Sequence, residues 1–245
     1  MKVNTRTSLV LLLAVLCGRL SPTAVFAQTA PTPEQRVAAL KQSLADSHAR
    51  LLRYEWIETT IISLKGEEKA RKQQRCYYGA YGKLQKLPVG DAPEAQPAAS
   101  GGGRRGGRVK AKVVENKKDE MKEYMERAAA LIHQYVPPQP EHIQKAKDGG
   151  TLSIAPLDQG RVRLTVPGYL QAGDQLTVDV NAAANTLVGV NVATYLDKPD
   201  DTVTLDVRFA ALDDGTRYTA KTTLDAKAKN IRVVVENTGY RPMTP

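Results

Sequence analysis

The sequence predicts an α+β protein: a strongly curved antiparallel sheet whose concave face is covered by two or three helices. Three observations predict it. From Thr151 onward, apolar residues recur at every second position in runs separated by turn-forming residues. Two segments ahead of those runs carry apolar residues at helical spacing. A sheet of such strands has one apolar face, and those helical segments are what the chain offers to cover it.

The first 27 residues have another purpose. Lys2 and Arg6 precede the uncharged apolar run Ser8–Cys17, Gly18 and Pro22 break it, and Val25-Phe26-Ala27 places small residues where a signal peptidase reads. This is the layout of a secretory signal peptide cut after Ala27. The run is well short of the ~20 residues a spanning helix needs. Leu16 sits where lipidation of Cys17 would need a small residue. The expected location is therefore periplasmic or secreted. Cleavage leaves about 218 residues, a single cysteine (Cys76) and so no internal disulfide. Loss of Lys2, Arg6 and Arg19 lowers the net charge from +9 to about +6. That excess suits peripheral contact with anionic membrane surfaces or acidic partners.

Residues 28–33 read as a Pro/Thr/Ala linker, and 34–245 as a single domain. Val37, Leu40, Leu44, Leu51 and Leu52 predict an amphipathic helix over 33–53. Tyr54 to Ile62 is aromatic and β-branched, as strands prefer. Lys65-Gly66-Glu67-Glu68 reads as a hairpin turn, Lys69 to Tyr78 as the returning strand, and Tyr81-Gly82-Lys83 as a second turn. The returning strand is polar on both faces, which fits either an exposed edge or the wall of a wet cavity. Cys76 within it reads as a half-buried small hydrophobe; no histidine is placed to make it a nucleophile.

Residues 88–110 are rich in Gly, Ala, Pro and Arg, with little to bury, and read as a disordered insertion. Val114, Met121, Met125, Ala128, Ile132 and Tyr135 predict a second helix over 113–135, stopped by Pro137 and Pro138. A short helix is expected over Glu141 to Lys147. Six or seven strands follow. Their alternating apolar positions are Val162-Leu164-Val166, Leu176-Val178-Val180, Val188-Val190-Val192, Val203-Leu205-Val207-Phe209, Tyr218 to Leu224, and Ile231-Val233-Val235.

The exported start, the helix leading directly into Tyr54-Glu55-Trp56-Ile57-Glu58-Thr59-Thr60, the mid-chain helices and the long strand-turn-strand run together resemble the LolA/LolB/LppX-type lipoprotein carriers. The resemblance covers nearly the whole mature chain and is one of element order. It implies a half-barrel, an unclosed β-barrel with helices in its mouth, that holds acyl chains of lipids or lipoproteins in the periplasm. It also implies an arginine on an early strand that holds the lid helices, and Arg71 and Arg75 lie near that place.

Signatures of catalysis are missing. His48, His133 and His142 form no ligand cluster, and the chain has no G-x-S-x-G serine, phosphate-cradling loop or dinucleotide fingerprint. Glu67-Glu68, Asp200-Asp201 and Asp213-Asp214 all fall in expected turns, where acidic residues are common. Gly101–Arg108 lacks the interleaved aromatics of RNA-binding Arg-Gly segments, so no nucleic acid is expected. The expectation is a non-catalytic binding or carrier protein for a lipid, lipoprotein or other apolar ligand, with no cofactor and no metal. Its expected ligand-binding residues are Trp56, Arg71, Arg75, Met121, Met125, Ile132 and Tyr135. An envelope module docking a protein partner is the second expectation, and a secreted hydrolase the third.

Overall fold

A computed structural model describes residues 33–90 and 106–243. The signal peptide, the linker up to residue 32 and insertion residues 91–105 lie outside the described residues. Pro33–Pro245 is one compact unit.

Helix α1 (Pro33–Leu51) leads into β1 (Tyr54–Leu64). Lys65 (φ 53°) and Gly66 (φ 84°) form a two-residue turn with both φ positive, which matches the right-handed twist of the strands it joins. The turn is thus two residues rather than the expected four, and β2 (Glu67–Tyr78) starts earlier. After a turn through Tyr81 comes β3 (Leu84–Pro88). Helix α2 (Gly106–Ile132) begins inside what was read as insertion, so residues 106–110 are helical, and Pro88 belongs to a strand. The helix also ends earlier than its apolar spacing suggests, and Tyr135 sits in the turn beyond it. Helix α3 (Pro140–Asp148) starts on proline and stops at Gly149, the usual asymmetry of helix ends. Seven strands follow: β4 (Ser153–Pro156), β5 (Arg161–Pro167), β6 (Gln175–Asn181), β7 (Thr186–Tyr195), β8 (Thr202–Ala211), β9 (Arg217–Ala226) and β10 (Ile231–Pro242).

All ten strands form one curved, unclosed sheet in the order β3-β2-β1-β10-β9-β8-β7-β6-β5-β4. Every pairing is antiparallel. Neighbours in sequence pair, except β3 and β4, which are the two edges, and β1 joins β10, bringing the first and last strands together. Register shifts at Glu55/Ile57, Ile62/Ser63, Asp179/Val180 and Arg208/Phe209 add local bend. The two edges, β3 and β4, are short and each ends in proline, which discourages pairing with other chains.

The segment between β3 and β4 has to travel from one edge to the other. Ten strands about 4.8 Å apart span about 43 Å. The 27 residues of α2, at about 1.5 Å each, reach about 40 Å. The path crosses the apolar face. Val166, Leu176, Val192, Leu205, Leu224, Val233 and Ile62 lie opposite one another in a single row across seven strands. Ala128, Ile132, Tyr135 and, from α3, Ala146 pack on β5–β8 in the main core. Tyr124, with Met121 and Met125, packs against Leu64, Ala226, Ile231 and Val233 in a second cluster.

Helix α1 lies on the same face. Side chains alternate along β1, so Trp56, Glu58, Thr60, Ile62 and Leu64 point one way. Leu64 at one end joins the α2 cluster. Trp56 at the other end meets Tyr78, whose ring is met edge-on by His48 of α1 at 5.3 Å. The opposite face carries cross-strand ion pairs such as Arg163–Asp179, Lys221–Glu236 and Arg232–Asp225, as a solvated face should.

Candidate functional site

Between the seats of α1 and α2, the helix-bearing face holds a strip that neither helix fully covers. Its middle is the row Val178, Val190, Val207, Thr222, Val235 and Thr60, each opposite the next. Val190 and Val207 are buried, while Val178, Thr222, Val235 and Thr60 remain half-buried. Leu187, Phe209 and Leu224 are likewise half-buried against the main core. The strip is therefore apolar and partly open to solvent.

At its β1–β10 end stands an aromatic cluster. Trp56, 7% exposed, stacks on Tyr240 with ring centres 5.3 Å apart and leans on Tyr78 at 5.6 Å. Tyr218 closes on Tyr240 at 4.3 Å. Trp56 Nε1 donates to Asn237 Oδ1 at 3.0 Å, and Asn237 Nδ2 donates to the Thr219 carbonyl at 2.9 Å. Burial raises the phenol pKa of Tyr240 and of Tyr78, so both rings stay neutral. Cys76, opposite Trp56 on β2, is 0% exposed rather than half-buried, and burial raises its thiol pKa. That is the setting of an inert packing residue, not of a nucleophile. One charged pair shares this face: Lys86 Nζ donates to both Glu58 oxygens, at 2.6 and 2.7 Å.

The expected binding residues fall in four places. Trp56 lies in the aromatic cluster. Met121 and Met125 flank the second apolar cluster, and Ile132 and Tyr135 are sealed in the main core. Arg71 and Arg75 do not join them. Both alternate with Cys76 on β2 and so point to the opposite face of the sheet. There Arg71 makes a two-pronged pair with Glu68 at 2.8 and 2.9 Å, and Arg75 lies 3.8 Å from Glu55. The arginine that reaches across the helix-bearing side is Arg217 of β9. Its Nη2 donates to the Leu187 carbonyl at 2.8 Å, and its backbone N–H donates to Ser47 Oγ of α1 at 3.2 Å. Sequence spacing offered no signal for it, because the contact joins β9 to a helix 170 residues away.

Tyr135 has a structural partner that pattern reading missed. Asp174, 2% exposed, accepts from Tyr135 Oη at 2.5 Å and from the backbone N–H groups of Tyr169, Leu170 and Gln171. The carboxylate ties the β5–β6 loop to the end of α2. A cavity of about 590 Å³ beside α2 is lined by Glu120, Glu123, Arg127, Asp197 and Lys229 among others, a mixed-charge wall unsuited to an apolar guest. Among the described residues no group of three or more His, Cys, Asp or Glu side chains is placed to hold a metal ion.

Neither a protein-family profile nor a curated protein matches the chain. A solved structure does. It is the crystal structure of a DUF1329 family protein from Desulfovibrio piger ATCC 29098. The likeness covers 84% of this chain and 92% of that one, at 9% identity and a TM-score of 0.36. Similarity at that level transfers neither a site nor an activity.

Proposed function

We propose that this protein is an exported, non-catalytic carrier of an acyl chain or similar apolar ligand, built as a LolA-like half-barrel. The observation that carries the reading is the largely apolar strip from Val178 to Val235 between α1 and α2, buried at Val190 and Val207 and half-buried at Val178, Thr222 and Val235, ending at the Trp56–Tyr240 stack. Each methylene laid on such a surface leaves water with a gain of about 0.8 kcal/mol. A tail of several methylenes outweighs the cost of ordering the side chains around it. The neutral aromatic rings offer apolar faces for the same tail. Export is part of the proposal, and N-terminal sequencing of the secreted or periplasmic form should begin at Gln28.

The ligand experiment is twofold. Native mass spectrometry of protein taken from its compartment of origin should show retained lipid, and a fluorescent fatty acid should be taken up and displaced by palmitate. Phe209→Asp, in the strip, should weaken uptake at least about tenfold, since it sets a charge where the tail would lie. No retained lipid together with no uptake removes the proposal.

A further inference from the structure

We propose that the acyl ligand ends in an anion, a carboxylate or a phosphate, held by Arg50 and Arg217 where α1 sits on the start of β9. This rests on the carrier reading and adds the polar end of its ligand. Among the described residues, three buried side-chain polar atoms have no hydrogen-bond partner: Arg50 Nε, Arg217 Nε and Thr216 Oγ1. Buried polar groups are nearly always paired, so such orphans call for a partner from outside the chain. These three lie together. Thr216 and Arg217 are adjacent, the Arg217 backbone N–H donates to Ser47 Oγ at 3.2 Å, and Arg50 follows Ser47 by one turn of α1.

Two of the three orphans are cationic donors, so the partner they lack is an acceptor. Both arginines are half-buried, and among the described residues neither has a carboxylate within ion-pair distance. The Arg217 guanidinium gives one N–H to the Leu187 carbonyl, at 2.8 Å, and that of Arg50 donates to nothing. Asp214 feels the Arg50 charge without pairing with it. Both of its oxygens are engaged, by the Tyr54 hydroxyl at 2.9 Å and the Thr216 backbone N–H at 2.9 Å. The site also borders the strip. Arg217 is tied to Leu187, and Phe209 pairs with Thr219, two residues beyond Arg217. A tail lying along Leu187 and Phe209 therefore ends beside unpaired guanidinium groups, whose planar forks match a carboxylate or phosphate.

The test is displacement of the fluorescent fatty acid by three ligands of one chain length: palmitate, hexadecyl phosphate and hexadecanol. The native protein should prefer one or both anions over the alcohol by at least about tenfold, the worth of charge-assisted hydrogen bonds. The anion that wins names the headgroup. Arg50→Gln should bring that preference close to one, and Arg50→Lys should keep part of it, because the charge stays. Arg50→Gln should not lower the urea midpoint, since it removes a cation with no partner in the chain. Equal displacement by all three ligands, or a preference that survives Arg50→Gln, would overturn the anion site and leave the carrier reading standing. A water filling the same place would give that result. Binding of none of the three removes both.

Discussion

Trp56 and Asn237 are 181 positions apart in sequence and hydrogen-bonded at 3.0 Å, the indole N–H donating to the amide oxygen. The bond lies beside the β1–β10 seam, the one place where distant parts of the chain pair. Trp56 is also the sole tryptophan. Its emission therefore reports on the aromatic end of the strip. Palmitate should shift or quench that emission in proportion to the bound fraction, and Trp56→Ala should cost about 3 to 5 kcal/mol in urea unfolding. Unchanged emission at saturating ligand would place the tail elsewhere.

Asp174 is expected to be among the most sensitive positions outside the strip. Tyr135→Phe leaves its carboxylate three backbone donors and should cost about 1 to 3 kcal/mol. Asp174→Ala strands those three donors and leaves the Tyr135 hydroxyl only Thr194 Oγ1 at 2.8 Å, and should cost more than about 3 kcal/mol. Chemical denaturation of the two variants gives the ordering.

Alkali should unfold the protein through its buried phenols. Burial, then the hydrogen bond to a carboxylate, raises the pKa of Tyr124 and Tyr135, and burial does the same for Tyr240. Below the ordinary phenol pKa of about 10, both folded and unfolded states keep these protons and stability does not depend on them. Above it the unfolded chain releases protons that the folded chain retains, so stability falls as pH rises. Thermal midpoints from pH 9 upward should drop steeply, and Tyr135→Phe should flatten part of that drop.

The Glu58–Lys86 pair allows a double-mutant cycle. Glu58 has only 12% of its side chain exposed, and Lys86 is its sole cation within ion-pair distance among the described residues. Lys86→Met alone leaves a largely buried carboxylate unpaired and should destabilise by about 1 to 3 kcal/mol. Adding Glu58→Gln should recover much of that loss. Additive single effects would show that the pair contributes nothing.

The strands from Val162 to Val235 were legible because a half-buried strand writes its exposure as period two, and α2 because Met121, Met125, Ala128 and Ile132 keep helical spacing. The β1–β10 pairing was not, since alternation marks a strand without naming its neighbour. The misplaced arginines have the same origin. Arg71 and Arg75 share β2 with Cys76, and one step in a strand is the difference between the two faces of a sheet. The start of α2 was hidden because Gly106 and Gly107 carry weak helix propensity and the segment has no apolar stripe, while the helix it extends is held farther along, by Tyr124 and Ala128.

Because β1 and β2 connect to the remaining strands only through β10, the early hairpin has nothing to lean on until the last residues have been made. A ribosome releases Tyr54 to Tyr78 long before Ile231 to Pro242. The sheet cannot complete during synthesis, and pairings of such long separation form slowly. The β4–β9 meander can pair as it is made, but the early hairpin joins it only when β10 arrives, so the β1–β10 seam is the last pairing the chain can form.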